Sequence, residues 1–362
     1  MKLAPYAVPY NKTLGREYPD VIDPMRTHFQ RDRDRIIHSK AFRRLAGKTQ
    51  VFLAHHADHT RDRLTHSMEV AQVGRDMARS LNLNEDLCEG IALAHDLGHT
   101  PFAHSGQDTM NEIMQEYGSH FEHNEQSKRI VEVLEKYFPH CDGLNLTWEV
   151  REGLAKHQTL YDQRTKQIKG KTLEAQVVDI ADEIAYHNHD IEDALREELF
   201  ELDELLELPL MKQAYEEALA HFGSLDEFVL KERLAGRSMM LMIQDCLANT
   251  ALQISKAKLK TMEDVISQAT DVVGFSANFQ PKVQQLRDFL WERMYNAPQL
   301  VPILEKGQGI IRQVFAHMYK HPELLPPRFV VRREAGDPLY VVVKDYVAGM
   351  TDSYITEIAR ML

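Results

Sequence analysis

From His66 onward the apolar residues return every three or four positions, in two successive runs that each deliver a histidine. In the first, Val70, Val73, Met77 and Leu81 follow His66, which places all five on one face of a helix. In the second, Asn84 with Glu85 and Asp86 makes an N-cap and an acidic first turn. Leu87, Ile91 and Ala94 then lead to His95, and Gly98 and Pro101 stop the helix. Similar periodicity runs through Asn124 to Tyr137, Thr147 to His157, Leu173 to Leu205 and segments between Leu210 and Tyr295. The pattern predicts an all-α protein. Its one strand candidate is a minor hairpin near the C-terminus, RFVVRR and LYVVV around a turn at EAGD. There is no internal repeat, heptad run or low-complexity segment.

With 43% hydrophobic and 27% charged residues the composition excludes disordered and fibrous classes. No stretch approaches the ~18 apolar residues of a membrane span, and MKLAPYAVPY lacks the pattern of a signal peptide. We therefore expect a soluble, unprocessed, cytoplasmic protein. Cys88, Cys141 and Cys246 are far apart and lack metal-type spacing, so they read as buried small residues. A net charge of −12 argues against non-specific binding to nucleic acid or anionic membranes as the main activity. Yet the segment from Arg26 to His66 holds ten basic residues against four acids. That block is either a site for a small polyanion or a helix face laced with ion pairs.

Nine of the 18 histidines fall between residues 55 and 123 (His55, His56, His59, His66, His95, His99, His104, His120 and His123). An even spread would put roughly three or four there. Imidazoles mixed with carboxylates suit divalent first-row metals. His95 and Asp96 are adjacent, so on a helix they diverge by about 100° and can share an ion only at the helix end, which Gly98 provides. A fourth ligand should come from a distant helix. In EAQVVDIADEIAYHNHDIEDA the apolar stripe is Val177, Ile180, Ile184 and Ile191, while Asp182, Tyr186 and Asp190 follow along another face. That edge is either a substrate-facing row or a solvated acidic face.

The blocks RDRDRIIHSKAFRRLAGKTQVF, RLTHSMEVAQVGR, HDLGHTPFAHSGQD, FEHNEQS, EAQVVDIADEIAYHNHD and DYVAGMTD together resemble the dGTP triphosphohydrolase branch of the HD superfamily. They span Arg31 to Asp352 and so nearly the whole chain. The resemblance implies a multi-helix HD fold that hydrolyses a deoxynucleoside triphosphate to the deoxynucleoside and inorganic triphosphate. It assigns His66, His95, Asp96 and Asp182 to a divalent metal ion, whether Mn, Fe, Ni, Co, Zn or Mg. Arg63 and Tyr186 would contact the triphosphate, and Gln50 and Asp190 the nucleoside. His104 would stand beside the scissile bond as general acid, with His99 and His123 nearby.

We accordingly expect one HD-type domain over residues 1–362, with a metal-binding core at about 60–200 and a helical part at about 205–362. Relatives commonly form homo-oligomers, so one is expected here, with a dNTP effector or single-stranded nucleic acid as further partners and no membrane. One departure matters. Many relatives carry an acid three positions beyond the histidine matching His104, and here that position is Gln107. An amide orients an imidazole but cannot stabilise its protonated form as a carboxylate does. The competing readings are an HD phosphohydrolase for other nucleotides and a nucleotide-sensing or single-strand-binding protein of weak activity.

Overall fold

The computed structural model describes residues 2–21, 23–50, 61–155 and 170–362. Their regular structure is helical, and β-pairing among them is limited to isolated bridges. The N-terminal part holds α1 (His28–Ile37), α2 (Lys40–Arg44), α3 (Arg63–Ser80), α4 (Glu85–Ala94) and α5 (Ala103–Glu116). Next come α6 (His123–Arg129), α7 (Trp148–Gly153), α8 (Leu173–Arg196), α9 (Leu202–Leu206), α10 (Pro209–Phe222) and α11 (Glu227–Ala257). The chain ends with α12 (Met262–Ile266), α13 (Gln280–Leu290), α14 (Val301–Lys320), α15 (Pro327–Glu334), α16 (Leu339–Ala348) and α17 (Asp352–Met361). No described helix is long and apolar enough to cross a membrane.

The centre of the molecule is the packing of α3 against α4 and α8. Each begins at a side-chain cap: the Asp62 carboxylate accepts from Thr65 N–H, the Asn84 amide from Leu87 N–H and the Thr172 hydroxyl from Ala175 N–H. Val70, Val73 and Met77 of α3 pack with Leu87 and Ile91 of α4 and Val177, Ile184 and Ile191 of α8 in one apolar cluster. Burying each such side chain contributes roughly 1.5–3 kcal/mol. A second cluster joins Phe102, Met110 and Met114 to Ile311, Val314 and Phe315 of α14 and to Val342, Val343 and Val347 of α16.

The hairpin expected near the C-terminus is instead two helices. RFVVRR lies in α15 and LYVVV opens α16, joined by a turn at Gly336, whose φ of 106° suits glycine. Short β-branched runs do not distinguish strand from buried helix. The prolines decide: Pro327 occupies the first turn of α15 and Pro338 caps α16. Extended to Ala348, the second run buries Val342, Val343, Tyr346 and Val347, which is helical spacing.

Candidate metal centre and substrate cleft

Four side chains from three helices converge. His66 comes from the first turn of α3, His95 and Asp96 from the end of α4, and Asp182 from α8. His66 Nε2 lies 3.1 Å from Asp182 Oδ1 and 3.9 Å from Asp96 Oδ2. His95 Nε2 lies 3.2 Å from Asp96 Oδ1 and 3.5 Å from Asp182 Oδ1. Donors bonded to one ion at about 2.1 Å, at angles of about 90–109°, stand roughly 3.0–3.4 Å apart. His66, His95 and Asp96 form a group that could hold a metal ion, and Asp182 Oδ1 adjoins both imidazoles, so the chemistry of the set suits a divalent metal ion. His95 Nδ1 donates to the Ala92 carbonyl at 2.6 Å, which leaves the Nε2 lone pair directed at the other three residues.

The turn after α4 is held from α6. Ser127 Oγ accepts from Gly98 N–H at 2.8 Å and donates to the His95 carbonyl at 2.7 Å. Gly98 is required there, since a Cβ would overlap the His123 carbonyl oxygen. This arrangement places a second row of histidines beside the first. His99 Nε2 lies 3.1 Å from Asp96 Oδ1. The His99 ring stacks on His123 at 3.9 Å and meets His104 edge-on at 6.2 Å. Burial, then the charge of Arg63, holds His99 well below the ordinary histidine value, so its ring is neutral. Burial works against the Asp96 carboxylate, but His95, His99 and Arg63 outweigh it and keep its pKa well below the usual range.

These rows line a cleft of about 450 Å³, a size in the range of small-molecule sites. Arg63 NH1 donates to Asp96 Oδ2 at 2.8 Å, while its Nε and NH2 are buried with no acceptor among the described residues. Of the eleven residues expected from sequence, nine line this cleft: Gln50, Arg63, His66, Asp96, His99, His104, His123, Asp182 and Tyr186. His95 is buried behind Asp96, and Asp190 lies fully buried beyond Tyr186. Burial pushes the Asp190 carboxyl up to about 8. Gln107 is drawn to His123, whose Nδ1 lies 2.6 Å from its amide oxygen.

Several site residues carried little sequence signal. Tyr295, from a π-helical turn after α13, donates to Asp190 at 2.5 Å and stacks on Tyr186 at 6.0 Å. Arg287, eight residues earlier, and Lys171 also line the cleft, each paired with an acid of the same wall, Arg287 with Glu183 and Lys171 with Asp179. No local motif marks them. Of the ten basic residues between Arg26 and His66, only Arg63 lines the cleft. Others are spent in ion pairs, Arg26 on Asp23 and Asp34, Arg33 on Asp34 and Glu89, and Arg31 and Arg35 on Asp20. His55, His56 and His59 lie outside the described residues.

Comparison with known proteins gives two family matches, the HD domain over residues 63–187 and the phosphohydrolase-associated domain over residues 273–361. The second contains Arg287 and Tyr295. Full-length relatives include a deoxyguanosinetriphosphate triphosphohydrolase-like protein of Cereibacter sphaeroides, 42% identical over 99% of both chains. One from Ralstonia nicotianae is 44% identical over 97% of this chain and 92% of its own. Another, from Leptospira interrogans, is 41% identical over 99% and 96%.

Proposed function

The chain belongs to the HD-domain phosphohydrolase family of deoxyguanosinetriphosphate triphosphohydrolase-like proteins, and from that premise we propose that it hydrolyses deoxynucleoside triphosphates to deoxynucleoside and inorganic triphosphate. The observation that carries this reading is Arg63, a cleft-lining residue whose guanidinium bonds Asp96 of the four-donor centre and keeps two buried nitrogens with no acceptor among the described residues. Buried donors without acceptors are costly, and a bidentate phosphate satisfies them.

His66, His95, Asp96 and Asp182 would hold the metal. A divalent ion bound there would supply Lewis acidity toward the α-phosphoryl group. Arg63 binds the phosphate chain, with Tyr186, Lys171 and Arg287 also lining the cleft. Water adds its oxygen to the α-phosphorus, releasing a proton to solvent, and the bond to O5′ breaks. The departing 5′-oxygen is basic and needs a proton, which His104, a residue of the cleft lining, would give. Such general acid catalysis contributes about 10² to 10⁴-fold. His99 and the stacked His123 line the same wall of the cleft as His104. At the nucleoside end, the Gln50 Oε1 atom is a buried acceptor without a donor among the described residues. Asp190, kept largely protonated at neutral pH and bridged by Tyr295, offers a hydrogen-bonding carboxyl.

The test is to incubate manganese-loaded protein with each dNTP and NTP, singly and mixed, and to separate the products. Nucleoside plus triphosphate supports the proposal. Orthophosphate released from a monophosphate, or no nucleoside from any mixture, overturns it.

A further inference from the structure

We propose that the Phe102 ring, seated in a notch that Gly307 leaves in α14, sets the position of His104; this rests on the reading of His104 as the proton donor. Gly307 lies in the first half of α14 and is buried. A Cβ on it would stand 2.9 Å from Phe102 Cγ and 3.0 Å from Phe102 Cβ, closer than packed carbon atoms approach. Those two atoms are the root of the side chain, so turning the ring about its own axis cannot relieve the overlap. Glycine in mid-helix is unfavourable, and α14 carries two nearby, Gly307 and Gly309. Gly309 has open space around it, so only Gly307 is required by a close approach.

Phe102 is held at both ends as well as by its ring. Its N–H donates to Asp352 Oδ1 at 3.0 Å, and its carbonyl accepts from Gly106 N–H at 3.2 Å and from the Ser105 hydroxyl at 2.8 Å. The ring belongs to the apolar cluster of Met110, Ile311 and Val314. Phe102 and Ala103 are both left-handed, a backbone conformation that non-glycine residues keep only where their surroundings impose it. His104 follows directly, exposed and lining the cleft, with its ring edge-on to Tyr295 at 6.1 Å. A push on the Phe102 ring meets no soft joint and passes along two peptide units to His104. Gly307 lies within the phosphohydrolase-associated domain, so this contact gives that domain a specific task, the placement of the proton donor.

Gly307→Ala fills the notch and should lower kcat for dNTP hydrolysis by about 10- to 100-fold, with KM and Mn²⁺ affinity within about threefold of wild type. Gly309→Ala, on the same helix but in open space, should keep the wild-type kcat. Phe102→Ala removes the ring, and adding Gly307→Ala to it should cost no more than about twofold further, because both act through one contact. In the metal-free protein, proton–carbon NMR should show the His104 ring signals displaced, and the NOE to Tyr295 weakened, in Gly307→Ala but not in Gly309→Ala. A wild-type kcat in Gly307→Ala overturns the proposal. So does an equal penalty with and without the Phe102 ring, or a loss of Mn²⁺ binding along with turnover. If Phe102→Ala does not fold, the kcat and the His104 signals of Gly307→Ala decide. Wild-type protein that releases no nucleoside from any dNTP would instead overturn the reading of His104 as proton donor, and His104 signals unmoved by Gly307→Ala would still overturn the positioning.

Discussion

Gln107 reaches His123: its amide oxygen lies 2.6 Å from the ring Nδ1. An amide oxygen only accepts, so the hydrogen sits on Nδ1 of His123. The sequence places Gln107 one turn beyond His104 on α5, where it reads as that residue's partner. Instead α6 brings His123 to the amide, while His123 stacks on His99. Gln107→Glu puts a negative charge on that nitrogen and should raise the His123 pKa by about one unit or more. Proton NMR titration of the His123 ring checks it, and an unchanged or lower value would rule out this pairing.

Asp182 is the one member of the four-donor set that comes from α8, and its Oδ1 stands 3.1 Å from His66 Nε2 and 3.5 Å from His95 Nε2. Asp182→Ala removes that corner and should cost both bound metal and turnover. His104 stands outside the set, so His104→Ala should keep the metal and lose turnover by about 10² to 10⁴-fold. Metal content by mass spectrometry and nucleoside release, measured on the same samples, separate the two. Loss of metal from His104→Ala would contradict this division of labour.

Much of this site was legible because its ligands sit on strongly periodic helices. The spacing of Val70, Val73 and Met77 oriented His66, and the capped run from Asn84 to Ala94 delivered His95 and Asp96. What was not legible depends on partners distant in sequence. The RDRDR block looks like a polyanion site until Asp20 and Glu89 appear beside it. LYVVV looks like a strand until α14 and the second apolar cluster claim one face of a longer helix. Tyr295 had no signal at all, since its role rests on contacts with Asp190 and Tyr186, more than a hundred residues away.

Asp352 ties the C-terminal helices to the N-terminal end of α5. Its Oδ1 accepts from Phe102 N–H at 3.0 Å and its Oδ2 from Thr49 N–H at 3.1 Å, next to His104 and Gln50 respectively. Phe102 and Ala103 hold φ of 63° and 56°, a region costing non-glycine residues of order 1–3 kcal/mol each. Asp352→Ala frees both N–H groups and should destabilise the fold by roughly 2–4 kcal/mol. It should also lower turnover through a displaced His104 while Mn²⁺ binding stays near wild type. Urea unfolding and chelator competition check the two halves, and unaltered turnover in a destabilised protein would refute the positioning role.

Glu174 is fully buried, and its Oε1 accepts from Val8 N–H at 2.9 Å and Asn84 N–H at 3.1 Å, which pins the N-terminal segment to α8. Burial pushes its carboxyl up to about 7 from an ordinary 4.5, against those hydrogen bonds. The folded protein therefore holds a proton that the unfolded chain has released between about pH 4.5 and 7. Its contribution is most favourable below that window and is lost as pH rises through it, leaving a penalty of roughly 3 kcal/mol above. Glu174→Gln keeps an oxygen acceptor for Val8 and Asn84 without the charge. The variant should gain stability relative to wild type as pH rises from 5 to 8, with most of the gain present by pH 8. Urea midpoints at the two pH values test this, and a variant-to-wild-type difference that does not change between them would show that Glu174 is not the titrating group.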